Sequence, residues 1–322
     1  MMFTAAAISA GVLAAIIVAA SATSRAAPTV ALADVLRDDP KPEAIEYART
    51  PAGPLHLYRF APPGSATKAR RAAVMWIHGG GWTAGSADAF FPHARYFASR
   101  GAVGFSLQYR LASPAGTGLA ECVADCRAAV GFLRSHADEL DIDPQKIVVL
   151  GDSAGGHLAA ALALDIGREA DADGATSAVP DAAVLYNPIT DLTDPAWSRF
   201  AVGGAAIAKG AAPVTRPTDA QAAKARALSP VHGVRPKSPP VLVLHGTADH
   251  IVAVEQSRIF VAAMRSAGND CTLEEFGGAR HAFVVTRYTA PDELVVRAIR
   301  AADAWLAERR LLEGDPTLVV RP

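Results

Sequence analysis

What this 322-residue chain lacks already narrows its function. Cysteine is scarce, with three in all, too few for a disulfide framework. Cys122 and Cys126 share one face of a helical pattern, where a bridge inside a regular helix is geometrically awkward. They read as small buried residues, and Cys271 as the start of a strand. An excess of charge of one sign is also missing: 31 basic residues offset 32 acidic ones for a net charge of −1, with no block of like charge. Nucleic acid is therefore not an expected partner, since binding it calls for a basic face. No repeat at fixed period and no long low-complexity tract is present. A phosphate loop is excluded too. "GDSAGG" contains neither the P-loop nor the dinucleotide motif, and "HGGGWTAGS" lacks the lysine a P-loop needs.

Hydrophobic residues make up 51% of the chain, enough for a sizeable core. One long apolar run, Ala5 to Ala22, precedes the first charge at Arg25. Residues 1–26 read as a signal peptide, with Ala20 and Ala22 or Ser24 and Ala26 as A-x-A-type cleavage positions, or as an uncleaved N-terminal anchor. The run has about the 18 residues that are the lower limit for a membrane span. Export to the periplasm or the medium is the expectation, with membrane contact only if the segment stays attached.

Residues 27–54 are rich in proline and charge and read as an irregular lead-in. From residue 55 to 322, strand and helix patterns alternate. "LHLYRF", "AAVMWIH", "AVGFSLQY", "KIVVLG", "AAVLYN", "PVLVLHG" and "CTLEEF" read as strands. Amphipathic segments such as "LAECVADCRAAVGFLRSHADEL" lie between strands, and "PDELVVRAIRAADAWLAERRLL" follows the last one as a terminal helix. This rhythm predicts an α/β fold with a mostly parallel central sheet and helices on both faces. The interval 188–238 is longer than an ordinary connection and reads as a small cap insertion over a site.

Gly151-Asp152-Ser153-Ala154-Gly155 matches G-x-S-x-G, the nucleophile elbow, between a buried strand and a helix. A serine there needs a base. Of nine histidines, His136 and His157 fall within helices, and His78 and His245 at strand ends. His281 stands apart in "FGGARHAF", after the last strand, and Asp249 follows the preceding strand in "LHGTADHIV". In a parallel sheet both loops open on the edge that carries Ser153. The order Ser153, Asp249, His281 suits a nucleophile, the acid that orients its base, and the base. Three glycines after His78 can turn backbone amides toward a developing oxyanion. Gly80 and Gly81, with Ala154, are the expected donors, and Gly79 the alternative. Asp152 reads as structural. Trp82 reads as lining the site, and Arg280 as either a substrate contact at the mouth or a solvated arginine. A hydrolase-like binding protein with a dead site is disfavoured, because all three residues and the glycines are present.

In combination, His78-Gly79-Gly80-Gly81-Trp82, Tyr109-Arg110-Leu111, "GDSAGGHLAA", "LHGTADHIV" and "GGARHAF" resemble the α/β-hydrolase fold esterases. The nearest likeness is to the hormone-sensitive-lipase-like group with an HGGG motif, and within it to bacterial feruloyl and acetyl-xylan esterase-like enzymes. The resemblance implies hydrolysis of carboxylic esters, with short acyl chains or saccharide esters as substrates and no metal or organic cofactor. A formamidase or other amidase on the same scaffold is the alternative. Related esterases often have Asp before Tyr-Arg-Leu where this chain has Gln108, a change that reads as a lost structural hydrogen bond.

Overall fold

The computed structural model describes residues 28–64, 70–168, 176–208, 211, 214 and 216–321. The leader expected at 1–26 lies outside these residues. The described chain opens with Val30–Ala31 (β1) and Leu32–Val35 (α1), followed by a hairpin of Glu43–Thr50 (β2) and Gly53–Phe60 (β3). Arg71–Ile77 (β4), Phe91–Ser99 (α2), Val103–Leu107 (β5), Leu119–Ser135 (α3), Ile142–Asp152 (β6) and Ala154–Ala163 (α4) continue it. Ala182–Tyr186 (β7) precedes two short helices, Ser198–Val202 (α5) and Asp219–Ala227 (α6). The chain then runs through Val241–Gly246 (β8), Val254–Ser266 (α7), Cys271–Phe276 (β9), Asp292–Glu308 (α8) and Leu318–Val319 (β10).

Eight strands form one sheet in the order β2-β3-β5-β4-β6-β7-β8-β9. Strand β3 is antiparallel to both of its neighbours, and every other pair in this sheet is parallel. The central strands are buried on both faces, which is why they read as unbroken apolar runs. Ala73, Met75 and Ile77 of β4 point into a core shared with α3, α4 and α7. Val74 and Trp76 point the other way, into a core shared with α2 and α8.

The lead-in is a correction to the sequence reading. Residues 27–54 were expected to be irregular, yet β2 spans eight of them. It is an edge strand with Tyr47 as its one buried side chain, and a register shift between Glu46 and Ala48 breaks the alternation. A bulge of this kind erases the period of two by which a half-buried strand is recognised. The interval 188–238 does carry α5 and α6, and Phe200, Ala201 and Leu228 sink into the first core.

Helix α8 matters to the site because it anchors the loop before it, which carries His281. Inside its contact with α2, the Asp303 carboxylate is fully buried and pairs with Arg100 at 2.7 Å. It also accepts from the Tyr96 hydroxyl. Removing one partner leaves a buried charge uncompensated. Asp303→Ala is expected to lower the unfolding free energy in urea titration by about 3–5 kcal/mol. Arg70→Ala, at an exposed pair with Asp138, should cost less than about 1 kcal/mol.

Candidate active site

Strand β6 ends at Asp152 and α4 begins at Ala154, so Ser153 alone makes the turn. Its backbone sits at φ 55°, ψ −118°, in a region that non-glycine residues seldom adopt. The flanking glycines permit this by close approach. A Cβ on Gly151 would overlap the Gly155 carbonyl, and one on Gly155 would overlap the Ile77 carbonyl of β4. The Ser153 amide donates to the Tyr186 carbonyl of β7 at 2.9 Å, which pins the turn from the other side.

Ser153, Asp249 and His281 lie far apart in the chain and meet here. Ser153 Oγ is 2.9 Å from His281 Nε2, and His281 Nδ1 is 2.7 Å from Asp249 Oδ2. The other carboxylate oxygen, Oδ1, accepts the amides of Ile251 and Val252 at 2.8 and 2.9 Å. Burial alone would raise the Asp249 pKa. Hydrogen bonding by His245 and His281, the charge of His281 and the Val252 amide outweigh it and hold the carboxyl well below the usual range. An ionised Asp249 keeps the proton on His281 Nδ1 and leaves Nε2 free to accept from the serine.

Gly80 and Gly81 take φ values of 110° and 59°. The Gly80 carbonyl accepts the amides of Thr83 and Ala84, closing a tight turn. Among the described residues, the amides of Gly80, Gly81 and Ala154 donate to no acceptor. Gly79 packs against Asp152, where an added Cβ would stand 2.9 Å from Oδ2. These glycines, Ser153 and His281 line a cavity of about 360 Å³ together with Trp197, Ile251, Val285 and Tyr288. A larger cavity of about 720 Å³ lies beyond His78 and Gly85, and does not include Ser153.

Two expected substrate contacts are absent from the cavity wall. Trp82 is fully buried, and its indole N–H donates to His157 Nδ1 at 3.3 Å. His157 Nε2 in turn donates to the Leu228 carbonyl at 2.9 Å. Burial lowers the His157 pKa to about 4, which keeps the ring neutral in that relay. Trp82 therefore packs behind the site, edge-on to Trp197 at 6.3 Å, and Trp197 is the indole that faces the cavity. Nothing in the sequence marks Trp197 for this position. A single aromatic in an aperiodic insertion carries no sign of where it points. Arg280 is exposed and does not line the cavity, in keeping with a solvated arginine. Gln108 keeps a structural role, its Oε1 accepting the His56 amide at 3.2 Å.

Asp152, beside the serine, has a different environment. It is fully enclosed, and burial pushes its pKa up to about 6, against the pull of His281 and of a 2.9 Å hydrogen bond from Asn187. An unfolded aspartate releases its proton near pH 4, so the folded state loses stability relative to the unfolded state as pH rises from about 4 to about 6. Asp152→Asn removes that penalty. Its unfolding free energy relative to the parent should improve by about 2–3 kcal/mol between pH 4 and pH 7, read from denaturation curves at both pH values.

The BD-FAE family model matches residues 60–264. Esterase LipQ of Mycobacterium tuberculosis is 32% identical over 71% of this chain and 54% of its own length. Esterase LipC of the same organism is 30% identical over 65% of this chain and 52% of its own length. The chain thus spans about half the length of the curated relatives it matches. Among solved structures, Thermogutta terrifontis esterase 2 phosphorylated by paraoxon superposes with a TM-score of 0.73 at 34% identity. That match covers 86% of this chain and 97% of the other. The same esterase with propionate bound gives a TM-score of 0.74 at 34% identity, again over 86% and 97% of the two chains. The α/β-hydrolase fold and the esterase likeness expected from the motifs agree with these matches, and the chain belongs to the BD-FAE family, with a carboxylesterase-type α/β-hydrolase domain.

Proposed function

We propose that the protein is a serine carboxylic ester hydrolase acting through Ser153, His281 and Asp249. The observation that carries this reading is the continuous series from Asp249 through His281 to Ser153, at 2.7 and 2.9 Å, ending in a cavity edged by unengaged amides. Ser153 Oγ attacks the ester carbonyl carbon as its proton passes to His281 Nε2. Asp249 steadies the imidazolium that results. The tetrahedral oxyanion takes hydrogen bonds from the amides of Gly80, Gly81 and Ala154, each worth about 3 kcal/mol at the transition state. The alcohol leaves with the proton from His281, and the acyl group stays on Ser153. Water, losing a proton to the same nitrogen, then attacks the acyl carbon, and the acid departs as Ser153 regains its hydrogen.

The mouth supports esters of small apolar acids. Ile251 and Tyr288 at the cavity rim are 61% and 70% exposed, and Trp197 and Val285 line the wall beside them. The Thermogutta esterase has been solved with propionate and with butyrate bound, which favours short acyl groups here by likeness. Acetyl or feruloyl esters of saccharides fall within the same reading, and export by the N-terminal segment would bring the enzyme to such substrates.

Ser153→Ala is expected to lower kcat on p-nitrophenyl acetate by about 10⁴-fold or more and to abolish labelling by a fluorophosphonate probe. Retention of most activity would overturn the assignment. Parallel assays on methyl ferulate and N-formylkynurenine separate ester from amide specificity. Replacing Ile251 and Tyr288 together by serine should weaken kcat/KM for p-nitrophenyl butyrate several-fold more than for the acetate. Equal loss on both would remove the rim from substrate recognition.

A further inference from the structure

His245 is the last side chain of β8 before the turn that carries Asp249, and both side chains are fully buried. From sequence it is one more histidine at a strand end. In the structure its Nε2 lies 2.9 Å from the Val252 carbonyl and 3.3 Å from Asp249 Oδ2. That is the carboxylate oxygen bonded to His281 Nδ1. The other ring nitrogen, Nδ1, is 2.6 Å from the hydroxyl of Ser257, a fully buried residue of α7. The bonds select a tautomer. A carbonyl and a carboxylate oxygen both face Nε2, so Nε2 carries the hydrogen, and Nδ1 accepts from the Ser257 hydroxyl. Asp249 then meets an imidazole N–H on two sides, from His281 and from His245, while two backbone amides fill its other oxygen.

We infer that His245, with its tautomer set by Ser257, is a positioning residue for the reaction: it holds the Asp249 turn through the Val252 carbonyl and draws on the same carboxylate oxygen that orients His281. This rests on the proposed roles of Ser153, Asp249 and His281. Physically, the N–H of His245 tempers the negative charge that Asp249 presents to His281. Without it, the carboxylate would bind the His281 proton more strongly and make the base harder to return to its neutral form. The other groups facing this cluster are Asp152 from the elbow and Glu275 of β9, which stands opposite His245 in the sheet and is held by Arg258 of α7 at 2.7 Å. Neither touches the shared oxygen, and both remain in the variants below.

The test compares pH profiles of kcat/KM on p-nitrophenyl acetate. His245→Phe keeps a ring and removes both nitrogens. It is expected to lower kcat by about tenfold or more and to move the acid limb of the profile up by half a pH unit or more. His245→Gln, whose amide can supply an N–H, is expected to return the limb toward the parent position. Ser257→Ala, a small change that tests the same chain should His245→Phe fail to fold, should move the limb in the same direction by a smaller amount. A loss of kcat with an unmoved limb in His245→Phe and Ser257→Ala would overturn the inference and leave His245 as packing alone. A limb displaced equally in His245→Gln and His245→Phe would overturn it as well. Ser153→Ala in the same assay keeps the two readings apart. Activity surviving that change sinks the assignment of the nucleophile, whereas its loss together with an unmoved limb sinks only the role of His245.

Discussion

The site depends on how closely the elbow backbone approaches strand β4. Gly155 lies so near the Ile77 carbonyl, and Gly151 so near the Gly155 carbonyl, that neither tolerates a Cβ. This contact lets the chain leave β6 and enter α4 in one residue, with Ser153 forced to φ 55°. Strain of that kind costs on the order of 1–3 kcal/mol and persists only where surrounding packing over-determines it. Here the packing is the two-sided core: β4 and β6 lie side by side at the centre of the sheet, clamped by helices on both faces. The same contact sets the glycine loop after β4 beside the start of α4, so that loop and Ser153 line one cavity.

Two buried carboxylates show how local hydrogen bonding decides charge. Asp152 and Asp249 both lose solvation, a change that raises a carboxyl pKa. Asp249 receives two backbone amides and two imidazoles, and those donors win. Asp152 has the amide of Asn187 and little else, so burial wins and the group moves toward pH 6. Below about pH 6 the negative charge thus rests on the carboxylate that faces His281. The acid next to Ser153 in sequence is the more easily neutralised of the two.

The cap illustrates a division of labour among aromatics. Trp82 lies just after the glycine loop, where a site residue was expected, but its left-handed backbone (φ 60°) accompanies a ring turned into the core. Its bond to His157, and that histidine's bond to Leu228, tie the loop to the far end of the cap insertion. Trp197, from the cap, is the half-buried indole that lines the cavity. The glycine loop and the insertion are therefore held together by a neutral polar relay inside an apolar core. Such a relay is stable because each of its donors has a partner.

The alternation of buried strands and amphipathic helices, and with it an α/β fold around a mostly parallel sheet, was legible in the chain itself, because hydrophobic period is a local property. So were Ser153, Asp249 and His281 as candidates. Each follows a strand, and loops after parallel strands share an edge whatever the details of packing. The edge strand β2 escaped notice because a bulge and an exposed face erase its period. Side-chain direction was likewise out of reach: nothing near Trp82, Trp197 or His245 in the chain says which way its ring turns. Whether an indole fills a core or a cavity, and whether a strand-end imidazole meets a carboxylate four residues ahead, depends on contacts among segments distant in sequence. Local pattern determined which residues stand at the sheet edge, and only tertiary packing decided which of them face one another.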